Sequence, residues 1–258
     1  MTRALIFDCD GVLSDTERDG HLVAFNKTFE HFGIPMRWSD DDYRTVLRIG
    51  GGKERLAALF APGVREELGL PEDLEQQRKL IADWHRYKTA RYTEAVRAGE
   101  LPARPGVRRI VEEAHEAGWR LAVASTSAEE SVRAVLEHAV GADHAGQFTV
   151  CAGDAVPHKK PAPDIYLLAL ERLGVPSVDA VAVEDSSNGL RAALAARIPT
   201  IVTTSSYTQD EDFTGAALVV DNLGDPFDPP VTVLANEGDI TVGSQVTITE
   251  LSQLHARS

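Results

Sequence analysis

The sequence predicts an α/β fold, a parallel sheet covered by helices on both faces with a helical block inserted near its start, and three observations carry that expectation. Between about residues 101 and 222, short apolar runs alternate with amphipathic segments. The runs are apolar at nearly every position rather than every second one, as strands buried on both faces of a parallel sheet must be. One more such run, residues 4–7, stands apart, separated from the rest by residues 16–99, which hold none.

In chain order, Ala4-Leu5-Ile6-Phe7 is the first strand. The inserted block then reads as helices over residues 18–32, 40–47, 53–60 and 74–97, broken by the turn sequences Gly33-Ile34-Pro35 and Ala61-Pro62-Gly63. Beyond it, strands at 120–125, 148–151, 180–184, 200–203 and 217–220 alternate with helices at 107–117, 129–140, 164–173 and 189–197. The apolar residues of those helices recur at three- and four-residue steps. The last stretch opens with Pro226, Pro229 and Pro230 and alternates in 231–234, 240–242 and 246–249. Edge strands and a loose tail are both open readings there. The expected organisation is a sheet domain of residues 1–15 and 100–225, a helical cap of residues 16–99, and an extension, 226–258, without an assigned role.

With 258 residues, 43% hydrophobic and 26% charged, the chain is excluded from the disordered class. No apolar run approaches the roughly 18 residues of a membrane helix. A net charge of −14 excludes a basic surface throughout, so neither nucleic acid nor membrane is an expected partner, and protein partners stay unassigned. From Ser205 onward only Arg257 opposes a series of acids, so an anionic substrate must reach a local cationic pocket through a repulsive field. The two cysteines, Cys9 and Cys151, exclude a disulfide framework and predict a reducing compartment. Residues 4–7 are too short for a signal-peptide core and lack a small-residue cleavage site after them, so the expected location is cytoplasmic.

Chemistry concentrates at strand ends. Phe7-Asp8-Cys9-Asp10-Gly11-Val12-Leu13 follows the first strand, and ligand sites in open parallel sheets gather at the carboxyl ends of strands. Two carboxylates two residues apart there suit one to bind a hard cation or attack phosphorus and the other to move a proton; a solvated Asp-Gly turn is the other reading. Cys9, between them, has no second cysteine nearby and alternates away from both, so it reads as a packed thiol. Glu184-Asp185 ends another strand, and Asp185 is either a helix cap or, with the first pair, part of a carboxylate cluster suited to Mg²⁺. Ser125-Thr126-Ser127 at a helix start suits phosphate, or plain capping. Lys159-Lys160-Pro161 places ammonium groups where phosphate charge would need neutralising, or in solvent. Gly50-Gly51-Gly52-Lys53 is not a nucleotide P-loop, because Leu47 replaces the first glycine and Glu54 the hydroxyl residue.

In this order the four elements match the motif set of the haloacid dehalogenase superfamily of phosphotransferases, which the chain resembles over about residues 2–225. The resemblance implies a Rossmann-like core with a helical cap. More finely, the chain resembles CbbY-type xylulose-1,5-bisphosphate phosphatases. The supporting strings are Phe7–Leu13 with Asp15-Thr16-Glu17 and His21, then Ile49-Gly50-Gly51-Gly52-Lys53-Glu54-Arg55, Lys88-Thr89, Arg104-Pro105-Gly106, Ala152-Gly153-Asp154, residues 159–166, and Tyr207-Thr208 with Glu211-Asp212-Phe213.

That resemblance implies a Mg²⁺-dependent phosphatase acting on a small phosphorylated sugar, xylulose 1,5-bisphosphate, an inhibitor of the carbon-fixing enzyme Rubisco. It implies Asp8 as the nucleophile that forms an aspartyl-phosphate and Asp10 as the acid and then the base, starting protonated beside another carboxylate. Asp8, Asp10 through its carbonyl, and Asp185 would hold Mg²⁺ with Glu184 near, while Ser125, Thr126 and Lys160 bind the transferring phosphate. Glu17 and His21, four apart on a helix, would meet sugar hydroxyls. Gly51 and Gly52 would shape the substrate loop, and Lys53 and Arg55, with His85 and Lys88 three apart on a helix, would meet a second phosphate. The motifs are shared with a phosphosugar mutase of the β-phosphoglucomutase type, the alternative, whereas a non-catalytic phosphosugar sensor would not need both aspartates. The superfamily's strand order, 3-2-1-4-5, would place Cys9 and Cys151 two strands apart, roughly 10 Å and too far for a disulfide.

Overall fold

The computed structural model describes residues 2–254, so the last four residues of the expected extension lie outside the described residues. Strand β1 (Ala4–Phe7) lies between β2 (Arg120–Ser125) and β4 (Ala180–Glu184), with β3 (Phe148–Ala152) beyond β2. On the other side follow β5 (Thr200–Thr203), β6 (Leu218–Val220) and β7 (Val233–Ala235). The order is β3-β2-β1-β4-β5-β6-β7, parallel throughout except for the antiparallel β6–β7 pair. Cys9 and Cys151 are both buried and unbonded, as that order requires.

The two faces of the sheet differ in side-chain size. Leu5, Phe7, Leu121, Val123, Val181 and Val183 share one core with α6 (Val107–Glu116) and α7 (Glu129–Val140). Ala4, Ile6, Ala122, Ala124, Ala180 and Ala182 share the other with α9 (Asp164–Leu173) and α10 (Ser187–Ala195). The alternation of large and small residues along each strand lets the second helical layer sit close to the sheet while both faces stay dry.

Between β1 and α6 lies the helical insert. A π-helical turn, Glu17–Leu22, leads into α1 (Val23–His31), followed by α2 (Asp40–Val46), α3 (Gly52–Ala57), α4 (Val64–Glu67) and α5 (Leu74–Arg97). The segment expected as one helix over 18–32 therefore changes its winding partway. The insert has its own apolar cluster around Phe25, Phe29, Trp38, Tyr43, Leu56 and Trp84. Asn26 pins the connection to α2, donating to the Trp38 carbonyl and accepting from its N–H at 2.9 Å each. At Gly20 a Cβ would stand 2.7 Å from Leu101 Cδ1 and 2.9 Å from Tyr92 Cε2, so glycine permits the π-turn to press against α5.

The end of the chain is packed down rather than loose. β7 is an edge strand, and Ile240, Val246, Leu251 and Leu254 join the larger core. Residues 240–242 and 246–249 are not strands; Thr247 instead caps α11 (Ile248–Ser252) in a capping box with Glu250. Arg109 gathers the segment by donating to the carbonyls of Leu223 (2.9 Å), Gly224 (2.7 Å) and Val246 (2.9 Å), while Glu113 accepts from the Ile248 N–H at 2.9 Å. A short helix, α8 (Ala142–Ala145), precedes β3. No helix among the described residues is long and apolar enough to cross a membrane.

Candidate active site

The pairing of β1 with β4 brings two acidic strand ends together. The Asp8 N–H extends the ladder by one residue, donating to the Val183 carbonyl at 2.9 Å, and the chain then turns, with Leu13 N–H donating to the Cys9 carbonyl. Gly11 makes that turn at φ +82°, and a Cβ there would lie 2.0 Å from Asp185 Oδ2, so a side chain is excluded both by conformation and by the carboxylate it faces. Arg104 braces the site, its guanidinium donating to the carbonyls of Gly11, Thr203 (3.2 Å), Thr204 (2.7 Å) and Asp221.

Oxygen atoms of Asp8, Glu184 and Asp185 all lie within 4.8 Å of one another, and all three residues are buried. Lys160 donates to Asp8 Oδ1 and Glu184 Oε1 at 2.6 Å each, and Tyr166 also donates to Glu184 Oε1. Ser205 donates to Asp185 Oδ2 at 2.7 Å. Burial, reinforced by the charges of Glu184 and Asp10, pushes Asp8 up to about 7 in spite of Lys160. Burial and the same crowding push Asp185 well above the ordinary carboxylate range. Burial works against the charged form of Lys160, but Asp8 and Glu184 outweigh it and raise its pKa. Three buried carboxylates against one ammonium leave negative charge uncompensated. An all-oxygen donor set of that charge fits a hard divalent cation, so the residues pass the chemical test for the expected metal.

Asp10 is in a different environment, and its carboxylate is not part of that cluster. It accepts from Thr16 Oγ1 (2.6 Å), His21 Nε2 (2.9 Å), Tyr92 OH (3.2 Å) and Ser127 Oγ. Lys88 reaches His21 Nδ1 from the far side. An ammonium only donates, so Nδ1 accepts and the proton on Nε2 points at Asp10. Burial would raise the Asp10 pKa, but His21 and the hydroxyls of Ser127 and Thr16 outweigh it and hold the group well below the usual range. This corrects the expectation that Asp10 starts protonated. Its nearest partners are donors rather than a carboxylate. Burial lowers Lys88 to about 8.

These groups open into a cavity of about 640 Å³ whose wall includes Asp8, Asp10, Glu17, His21, Gly51, Gly52, Arg55, Lys88, Ser125, Thr126, Lys160 and Asp185. Ser125 is buried, its Oγ accepting from the Ser127 N–H at 3.1 Å at the turn into α7. Glu184 lies beneath the wall, held by Lys160 and Tyr166.

Five residues of the insert are placed otherwise than expected, one being Lys88, which is bonded to His21 instead of standing free for a second phosphate. Lys53 is not on the cavity wall; it pairs with Asp154 across the junction of insert and sheet domain, beside Lys159, which bonds Glu54 at 2.7 Å. Arg55 is on the wall but is committed, donating to the Ile49 carbonyl (3.0 Å) and Tyr43 OH (3.0 Å) and pairing with Glu17 Oε2 at 3.4 Å. His85 packs against Gly52 rather than lining the cavity, and burial with the charges of Lys88, Lys53 and Lys159 lowers it to about 4, so it carries no charge toward a phosphate at neutral pH. His21 is turned to Asp10. Glu17, whose Oε2 also accepts from Tyr43 OH at 2.6 Å, keeps Oε1 without a partner among the described residues.

Thr16, Ser127, Tyr92, Tyr166 and Ser205 hold the acidic side chains in place and Arg104 the backbone around them, and none was singled out individually as a site residue from the sequence. Ser127 was within reach, as the third hydroxyl of Ser125-Thr126-Ser127. Tyr207, from one of the strings that carry the resemblance, also lines the cavity. Its hydroxyl donates to Asp40 at 2.6 Å, and Arg44 stacks 5.1 Å from its ring centre.

A haloacid dehalogenase-like hydrolase family profile matches residues 2–197. A CBBY-like protein of Arabidopsis thaliana is 46% identical over 230 residues, covering 88% of this chain and 70% of the relative. The plasmid-borne protein CbbY of Cupriavidus necator is 44% identical over 230 residues, covering 88% of each chain. Among solved structures, a mutant of CbbY from Rhodobacter sphaeroides in complex with xylulose 1,5-bisphosphate superposes with a TM-score of 0.78 at 41% identity, over 86% of this chain and 95% of that one.

Proposed function

Because the chain belongs to the haloacid dehalogenase-like hydrolases and is a phosphoric monoester hydrolase of that family, we propose that it removes one phosphate from a sugar bisphosphate, xylulose 1,5-bisphosphate foremost, through a phosphoenzyme on Asp8. The observation that carries this reading is the contrast between the two aspartates. Asp8 lies against Lys160 among carboxylates, whereas Asp10 is set apart in a cage of proton donors. The substrate named is the one that occupies the Rhodobacter sphaeroides CbbY structure.

Asp8 would hold Mg²⁺ together with Asp185 and the Asp10 carbonyl, with Glu184 behind them; the cation supplies charge for the phosphoryl oxygens and for the crowded carboxylates. A carboxylate oxygen of Asp8 attacks phosphorus, the bond to the sugar oxygen breaks, and Lys160 and Ser125 take up charge on the oxygens of the group in transit. The leaving oxygen needs a proton from Asp10, which the resting site holds ionised. The negative charge of a bound bisphosphate raises the proton affinity of Asp10, which takes up a proton from water as substrate binds and so becomes the acid. After the sugar departs, the Asp10 carboxylate takes a proton from the water that attacks the phosphoenzyme, with His21 and Lys88 holding its orientation. The free Oε1 of Glu17 accepts from a sugar hydroxyl.

The test is phosphate release in the presence of Mg²⁺ across xylulose 1,5-bisphosphate, ribulose 1,5-bisphosphate and β-glucose 1-phosphate. The expected result is a kcat/KM for the xylulose compound at least about tenfold above its epimer, the scale of one well-placed polar contact. Phosphate moved within a glucose phosphate, with little set free, would make the protein a mutase and overturn the proposal.

A further inference from the structure

A bisphosphate needs a second cation away from Lys160, and none of the four residues that the sequence nominated is free to supply it: Lys53 bonds Asp154, Arg55 bonds Glu17, Lys88 bonds His21, and His85 packs against Gly52 off the cavity wall. We infer that Arg48, in the loop leaving α2, grips the second phosphate and makes the cavity selective for bisphosphates. This inference rests on the sugar-bisphosphate reading above.

Besides Arg55, five cations line the cavity. Lys160 bonds Asp8 and Glu184, and Lys88 bonds His21. Arg44 donates to the Tyr207 carbonyl at 3.2 Å and stacks on its ring. Arg191 is folded onto its own helix, donating to the Ser187 carbonyl at 3.2 Å and to Asn188. Arg48 is exposed to solvent, and its side chain has no hydrogen bond or ion pair among the described residues. Its guanidinium thus presents an unused fork of N–H groups, the geometry that binds phosphate oxygens in pairs.

Two further features fit. Arg48 stands two residues before Gly50, where a Cβ would lie 3.1 Å from the Lys160 carbonyl, so the loop bearing the free cation reaches the chain that supplies the catalytic lysine. The same cavity wall carries Asp210, Glu211 and Asp212. Their charge opposes a phosphate in the cavity, so holding one there takes a cation whose donors are not already committed.

The experiment compares wild type, Arg48→Gln, Arg48→Lys and Lys53→Ala on xylulose 1,5-bisphosphate and on glycerol phosphate, which has no second phosphate. Arg48→Gln is expected to raise KM for the bisphosphate about 10- to 100-fold with kcat little changed, the loss of one charge-assisted contact made equally in ground and transition states. Turnover of glycerol phosphate stays at the wild-type value, Arg48→Lys recovers part of the affinity, and Lys53→Ala has the smaller effect. A bisphosphate preference that survives Arg48→Gln, or a loss shared equally by the two substrates, overturns the inference while leaving the bisphosphate reading intact. A wild type with no preference for the bisphosphate overturns both.

Discussion

Asp8→Asn is expected to lower kcat at least about 10⁴-fold without unfolding the protein, the scale seen when a nucleophile is removed from an otherwise intact site. The amide keeps the size of the carboxylate but cannot attack phosphorus. Its effect on stability separates chemistry from folding. In the metal-free protein Asp8 is one of three buried carboxylates sharing a single ammonium, so removing its charge relieves repulsion. Stability against urea should stay level or rise by about 1 kcal/mol, the usual trade between a strained site and its function. Phosphate release that persists in this variant would remove Asp8 from the nucleophile's role.

Lys160→Met is expected to be the most destabilising change at the site. It leaves Asp8 and Glu184 buried without their common partner, and stripping one member from a buried charge cluster costs about 3–5 kcal/mol. The pH dependence has a definite sign. Asp8 titrates near 7 when folded against 3.8 as its ordinary value, so between those values the folded form binds more protons than the unfolded one. Its contribution is then most favourable below about pH 4 and is lost as pH rises through 7. Without Lys160 the folded pKa rises further, so the variant's deficit should be larger at pH 8 than at pH 5, and added Mg²⁺ should shrink it. A deficit that does not change with pH would mean that Lys160 acts by packing alone.

The strands and their acidic ends were legible because they are local. Residues 120–125, 180–184 and 200–203 are strands as their continuous apolar character implied, and Asp8, Asp10, Glu184 and Asp185 stand at or just past strand ends. Helix α10 begins at Ser187 rather than 189 because Ser186 accepts from the Gly189 N–H and caps it. What escaped the sequence is what depends on distant partners. The charge state of Asp10 is decided by Thr16 and His21 from the turn after it together with Tyr92 and Ser127, which are 82 and 117 residues away. Lys53 after three glycines reads as a loop cation facing a ligand, yet its partner Asp154 is 101 residues away. The path of residues 226–254 likewise follows from Arg109 collecting carbonyls that no periodicity reveals.

The central claim is that phosphate passes through Asp8 and is discharged to water with the help of Asp10. It is tested most directly by acid-quenching Asp10→Asn during reaction with an aryl phosphate, whose leaving group needs no proton, and weighing the intact protein. The account predicts a species heavier by one phosphoryl group, located on Asp8 by peptide mapping and longer-lived than in wild type because the base that activates water is gone. A burst of released phenol with no phosphate on the protein, or phosphate on any other residue, would contradict it.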